Sequence, residues 1–247
     1  MPAKKSSSKQ PVSKQVQTAL ASLKKMSTPR DRANLARFGI NATKAFGVSM
    51  ANIQKLAKRL GRSHELAAAL WDTGWYEARM LTAFVDEPAR VTLAQMDRWC
   101  RDFDNWGICD TVCFVLFDRT PHAWPKVAQW SEKHDEFGKR AAFALLASLA
   151  GHDKNATDAQ FIETLPLIER AATDDRNFVK KGVSWALRRI GRRNSTLHAA
   201  ALPVARRLAA SADPAARWVG KDALRELTSP AVMRRLGARR PATRRSR

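Results

Sequence analysis

Two short stretches carry side chains that could do chemistry. In "FDNWGICDTVC" (Phe103 to Cys113) an indole and a carboxylate, Trp106 and Asp110, stand four residues apart. A helix would bring them onto one face, one turn apart. In the segment from Asn177 to Arg193, Lys181, Trp185, Arg188 and Arg192 follow steps of four, three and four, so they form one helical stripe. Cations flanking an indole suit phosphate contact beside an aromatic platform. An acid such as Asp110 opposes that kind of binding and requires a separate reason: a part in catalysis, or a cap or salt bridge to a neighbouring arginine that holds a helix pair together.

The composition agrees with a polyanionic partner. The chain has 247 residues, with 44 Lys and Arg against 23 Asp and Glu, for a net charge of +21. The ends account for part of this: Lys4, Lys5, Lys9 and Lys14 in residues 1–14, and seven arginines in residues 234–247. Setting those four and seven charges aside takes +21 to +10, so the body is basic too. Nucleic acid is the expected partner. No run of 18 apolar residues predicts a membrane span, and "MPAKKSSSKQPVSKQ" lacks the apolar core of a signal peptide. Cys100, Cys109 and Cys113 read as reduced, buried thiols of a cytosolic protein. Cys109 and Cys113 lack a third and fourth ligand nearby, and the five histidines show no metal spacing, so no metal is expected. No phosphate-binding glycine loop or dinucleotide turn is present.

The elements that must hold these residues read as helices throughout. Apolar stripes at three- and four-residue steps include Val12, Val16, Leu20 and Leu23, then Leu93, Met96, Cys100 and Phe103. Thr120-Pro121, Asp213-Pro214 and Ser229-Pro230 read as N-caps followed by proline. "TLAQ" from Thr92 and "TDAQ" from Thr157 fit the capping box, and Gly61 and Gly151 fit C-terminal positions. About twelve helices follow from these signals. Trp71, Trp75, Trp99, Trp124, Trp130 and Trp218 are expected to pack the helices together.

"RAAFALL" from Arg140, "KGVSWAL" from Lys181 and "KDALREL" from Lys221 form a weak repeat, with starts 41 and 40 residues apart. "RMLTAFV" from Arg79 and "DTVCFVL" from Asp110 look like diverged copies. A period near 40 predicts a HEAT-like helical-repeat solenoid, an α-α superhelix. Equivalent helices would then line one basic concave groove. The expected layout is a disordered basic arm over 1–14, one repeat domain over 15–236, and a disordered arginine-rich tail over 237–247.

Four segments bear a resemblance: "RFGINATKAFGVS" (Arg37 to Ser49), "NWGICDTVC" (Asn105 to Cys113), "KRAAFALL" (Lys139 to Leu146) and "FVKKGVSWALRRI" (Phe178 to Ile190). The chain resembles the HEAT-like-repeat DNA alkylation repair glycosylases, the AlkD family, over most of residues 30–230. The resemblance implies excision of purines alkylated at N3 or N7, with grip on the phosphate backbone and no cofactor. It implies that tryptophans contact the deoxyribose and that an aspartate supports the oxocarbenium-like centre or the attacking water. Trp185, Arg188 and Arg140 match family positions at the lesion and on the backbone. Lys139, Lys181 and Arg192 complete the expected DNA-binding set.

One part of the match is in conflict. Laid without gaps, the family's tryptophan and catalytic aspartate fall on Cys109 and Cys113, and Asp110 matches an earlier aspartate. Alternatively Trp106 and Asp110 supply the pair one turn earlier, displaced about 4.5 Å along the helix axis. The catalytic set is then Asp110, Trp106 and Trp185. The expected function is a monofunctional alkylpurine DNA glycosylase, monomeric, cytoplasmic and nucleoid-associated, acting on alkylated double-stranded DNA. The alternative is a non-catalytic member that binds damaged or branched DNA.

Overall fold

The computed structural model describes residues 10–237, and among them there are fifteen α-helices and no strand. The expected arm and tail therefore lie largely outside the described residues. Where they overlap, the first helix already begins at Val12, because the stripe through Ala19 and Leu23 is buried.

The helices fall into two compact units divided after Val91, where the sequence predicts one domain. The first holds α1 (Val12–Lys25), α2 (Pro29–Arg37), α3 (Met50–Leu60), α4 (His64–Asp72) and α5 (Tyr76–Val85). Its α4 and α5 pack on each other, with α1 against α4 and α3 against α5. Trp71 is fully buried there, and Trp75 stacks flat on Phe46 at 3.9 Å. Glu77, also fully buried, is satisfied by the backbone N–H groups of Phe46, Gly47 and Val48, which donate to it.

The second unit holds α6 (Leu93–Arg101), α7 (Trp106–Val115), α8 (Ala123–Ser131), α9 (Glu136–His152), α10 (Asp158–Ile162), α11 (Leu165–Ala171), α12 (Asn177–Gly191), α13 (Ser195–Ala209), α14 (Pro214–Leu227) and α15 (Pro230–Gly237). One layer runs α7, α9, α12, α14, each packed on the next; α8, α11 and α13 pack behind them. The repeat copies from Asp110, Arg140, Lys181 and Lys221 lie on these four layer-mates. At the centre, α9 is buried from Arg140 to Ala150, as a helix apolar on all sides must be. Trp99 and Trp130 are fully buried beside Phe117.

Most predicted boundaries stand. Thr92, Thr157 and Asp213 cap their helices, each worth about 1 kcal/mol, and Thr157 with Gln160 closes a full capping box. Gly61 ends α3 with φ 73°. Two signals read differently. Thr120 does not start a helix; its hydroxyl donates to the carbonyl of Phe117 and closes a 3-10 turn, and α8 begins at Ala123. Gly151 lies inside the last turn of α9, without a positive φ.

Polar contacts stitch neighbouring layer helices. Asp110 bonds Arg140, Arg140 reaches the carbonyl of Phe178, Ser184 donates to Asp222, and Arg188 reaches Glu226.

Candidate functional site

Helix α7 starts where Asn105 accepts a hydrogen bond from the N–H of Ile108. This cap sets the register of everything after it. Trp106, Asp110 and Phe114 then fall at four-residue steps on the partly exposed side, while Cys109 and Cys113 turn inward and are fully buried.

Asp110 is held by Arg140 on α9. Nε and Nη2 of the guanidinium donate to the two carboxylate oxygens at 2.8 and 2.7 Å, and Nη1 donates to the carbonyl of Phe178 at 2.6 Å. Burial pushes the Asp110 carboxyl up from its ordinary value, and Arg140 pulls against that. Burial works against the Arg140 cation, but Asp110 outweighs it and raises its pKa. Arg140 is buried, and all three of its nitrogens are engaged. The expectation that Arg140 grips phosphate thus meets a guanidinium already committed within the protein.

The two cysteines make weak S–H bonds across the same helix pair, Cys109 to the carbonyl of Phe137 and Cys113 to that of Ala141, each at 3.6 Å. Burial pushes the Cys113 thiol far up, so it stays protonated at neutral pH. All three cysteines are free and buried.

Trp185 on α12 stacks on Phe114 with ring centroids 4.7 Å apart and planes within 1°. That stack links α12 to the Trp106–Asp110–Phe114 face. Phe114 also meets the edge of His152 at 5.4 Å, and the Arg189 guanidinium lies 6.0 Å from its ring. Sequence reasoning missed Phe114, although the steps from Trp106 through Asp110 continue to it.

The expected DNA-binding cations differ in availability. Lys181 is exposed and forms no ion pair among the described residues. Arg188 bonds Glu226 and lies 3.4 Å from Asp222. Arg192 bonds the other oxygen of Glu226. Lys139 lies 3.3 Å from Asp174, which Arg176 also bonds. Asp174 lies in "ERAATDD" (Glu169 to Asp175), whose acids read in the sequence as a solvated loop, whereas Asp222 and Glu226 on α14 carry no local signal of partners some 35 residues away.

One further cluster was not legible. Asp118, with its side chain fully buried, accepts hydrogen bonds from Ser148 and from Nδ1 of His152, both at 2.6 Å. Ser148 and His152 stand four apart on α9, which was its one local signal. Trp218 is exposed, with Lys180 5.6 Å from its ring. Among the described residues no group of three or more His, Cys, Asp or Glu could hold a metal ion, and no helix is long and apolar enough to cross a membrane.

Comparison with known proteins locates this arrangement in a family. A solved structure described as "a new family of proteins related to the HEAT-like repeat DNA glycosylases with affinity for branched DNA structures" superposes with a TM-score of 0.71 at 18% identity, covering 86% of this chain and 95% of that one. The likeness shows the fold: an all-helical solenoid of the HEAT-like type. Two designed armadillo repeat proteins, one in complex with a (KR)4 peptide, align at 16% identity with TM-scores of 0.42 and 0.40, covering 89% of this chain and 95% and 96% of theirs. None of the curated proteins matches the sequence. The family profile described as "DNA alkylation repair enzyme" matches residues 19–227, which takes in α7, α9, α12 and α14 in full. The chain belongs to the DNA alkylation repair enzyme family.

Proposed function

We propose that the protein binds double-stranded DNA carrying purines alkylated at N3 or N7 and hydrolyses their N-glycosidic bond, as a monomer and without a cofactor. The observation that carries this reading is the parallel stack of Trp185 on Phe114, one helical turn along α7 from Asp110. It joins an aromatic platform to a carboxylate. An alkylated purine is cationic, and an indole face attracts cations by about 0.5–2 kcal/mol. As the glycosidic bond breaks, positive charge grows on the sugar. A carboxylate fixed beside it stabilises that charge without reorganising. Arg140 fixes Asp110 from behind, and Trp106 stands one turn earlier on the same face. Lys181, Arg188, Arg192 and Lys139 supply the backbone grip, along a basic groove formed by α9, α12 and α14.

The test is a duplex containing one 7-methylguanine or 3-methyladenine, with abasic-site formation as the readout. Wild type excises the base. Asp110→Asn keeps DNA affinity and slows excision tenfold or more, equivalent to about 1.4 kcal/mol or above in the barrier. Excision that survives Asp110→Asn removes the carboxylate from the mechanism.

A second reading has its own support. Both Asp110 oxygens already accept from Arg140, and the gapless family carboxylate position holds the buried thiol of Cys113. On that reading the protein recognises damaged or branched DNA without cleaving it, in line with the branched-DNA affinity described for the similar structure. Tight binding with no abasic sites from either lesion decides for it.

A further inference from the structure

The C-terminal ends of α9 and α12, with Arg235 of α15, border an open cavity of about 440 Å3 lined by Lys154, Arg189, Arg192, Arg193 and Arg235, with no acidic residue among its lining side chains. Cations at helix C-termini are ordinary when they bond the last carbonyls. Arg193 does so, donating to the carbonyls of Ala150, Asp153 and Ala156. Lys154 donates to the carbonyl of Gly151. Arg192 is half accounted for: it bonds Glu226, but its Nε is buried without a partner among the described residues.

Arg189 is the exception. Only its Nε reaches a carbonyl, that of Ala147 at 3.4 Å, and it forms no ion pair with a described carboxylate. Its guanidinium rests against Gly151, where an added Cβ would stand 2.1 Å from Nη2. Gly151 has no positive φ, so the backbone does not demand glycine there. A helical glycine costs roughly 0.5–1 kcal/mol relative to alanine. What the missing Cβ supplies is a seat for Arg189. Burial, and then the nearby charges of Arg192 and Arg235, pull the Arg189 pKa down, with Glu226 opposing them. Glu226 answers Arg192 from outside the lining, and the remaining cations around the cavity are an arrangement that an anion completes.

We propose that this cavity is a phosphate-binding site, with the terminal nitrogens of Arg189 as its main donors and Arg235 and Lys154 at its mouth. A planar guanidinium suits two-point contact with phosphate oxygens. Because Arg189 also lies over Phe114, a phosphate bound here sits beside the Trp185 platform. On the DNA reading above, from which the source of the group is taken, the phosphate is a backbone phosphodiester.

The test follows thermal stability in inorganic phosphate against chloride at equal ionic strength, and DNA affinity by fluorescence anisotropy. The DNA arms are duplexes with and without 5′-phosphates. The variants are Arg189→Gln and Gly151→Ala, with the exposed Arg206→Gln as control. Gly151→Ala evicts the guanidinium without changing the net charge, and it stands in if Arg189→Gln does not fold. Phosphate is expected to raise the melting temperature of wild type and control but not of either variant. Duplex binding is expected to weaken about fivefold in both variants. The log–log salt slope is expected to fall by about one in Arg189→Gln. Equal loss on both duplexes assigns an internal phosphodiester; loss only on the 5′-phosphorylated duplex assigns a terminal phosphomonoester to the same site. Phosphate protection without any DNA binding keeps the site and removes the DNA reading. Unchanged phosphate response and unchanged DNA affinity in both variants overturn the site and leave the DNA reading standing.

Discussion

Asp110 and Arg140 face each other across α7 and α9 as a two-point ion pair, each carboxylate oxygen receiving its own guanidinium N–H at 2.8 and 2.7 Å. Breaking such a pair from one side strands the other charge. Arg140→Ala should cost about 3–5 kcal/mol and lower the melting temperature by many degrees. It should leave the salt slope of DNA binding unchanged, since all three guanidinium nitrogens are already engaged within the protein. Thermal melts and a salt titration of the same variant check both halves.

The buried thiol at Cys113 makes the opposite kind of prediction. Cys113→Asp places a carboxyl in a site with no exposure, next to Asp110 in the following turn. A fully buried carboxyl is raised by up to 3–5 pKa units, a penalty on the order of 4 kcal/mol. The variant should therefore be destabilised and gain no excision activity, whereas Cys113→Ser should fold. Denaturant unfolding with the abasic-site assay reads both.

Glu226 divides its two oxygens between Arg188 and Arg192. Removing its charge should release Arg192 toward a polyanion and leave Arg188 with Asp222 alone. Glu226→Gln is expected to tighten DNA binding at low salt and steepen the slope. Lys181→Ala should weaken binding and reduce the slope by about one. Anisotropy titrations at several salt concentrations measure these changes.

Acid should destabilise the protein. Arg176 holds Asp174 below its ordinary value. Burial works to raise Glu226 and Asp97, but Arg188 with Arg192, and Lys126 with Trp130, outweigh it and both are lowered. A carboxyl with a depressed folded pKa contributes stability above its unfolded value and loses it as pH falls through the folded one. The melting temperature should drop as pH goes below the ordinary values of 3.8 and 4.5. Asp110, pushed up by burial, acts in the opposite sense and blunts the loss. Melts from neutral pH downward, repeated with Glu226→Gln, isolate its share.

The helical fold was legible in the sequence because three- and four-residue periodicity and capping side chains are local signals. Thr157 with Gln160 states its own helix start. The repeat was legible in part, since Arg140 and Lys181 each sit four residues into α9 and α12, while Lys221 sits seven into α14. The partners of the charges were not legible. Nothing within one turn of Arg188 indicates that Glu226 is bonded to it; a salt bridge from Asp110 to an arginine of a neighbouring helix was an open reading, but its spacing did not single out Arg140. Gly151 was misread because a glycine near a helix end resembles a cap, while its real neighbour is Arg189, 38 positions on. Trp106 and Asp110 were placed on one face correctly by spacing alone, but Phe114 needed Trp185 against it to be noticed.

The polar stitches between layer helices span 30 residues from Asp110 to Arg140, 38 from Arg188 to Glu226, and 43 from Arg193 to the carbonyl of Ala150. Each couples a helix to its neighbour and goes no further. A chain held by nearest-neighbour terms behaves as a short one-dimensional lattice. Cooperativity weakens where a helix has few neighbours, so among the described residues opening should spread inward from α15, which packs lightly on α14, and reach α9 last. Amide exchange would record this as a gradient along the layer, and a perturbation at the α14 end would fade before it reached Asp110.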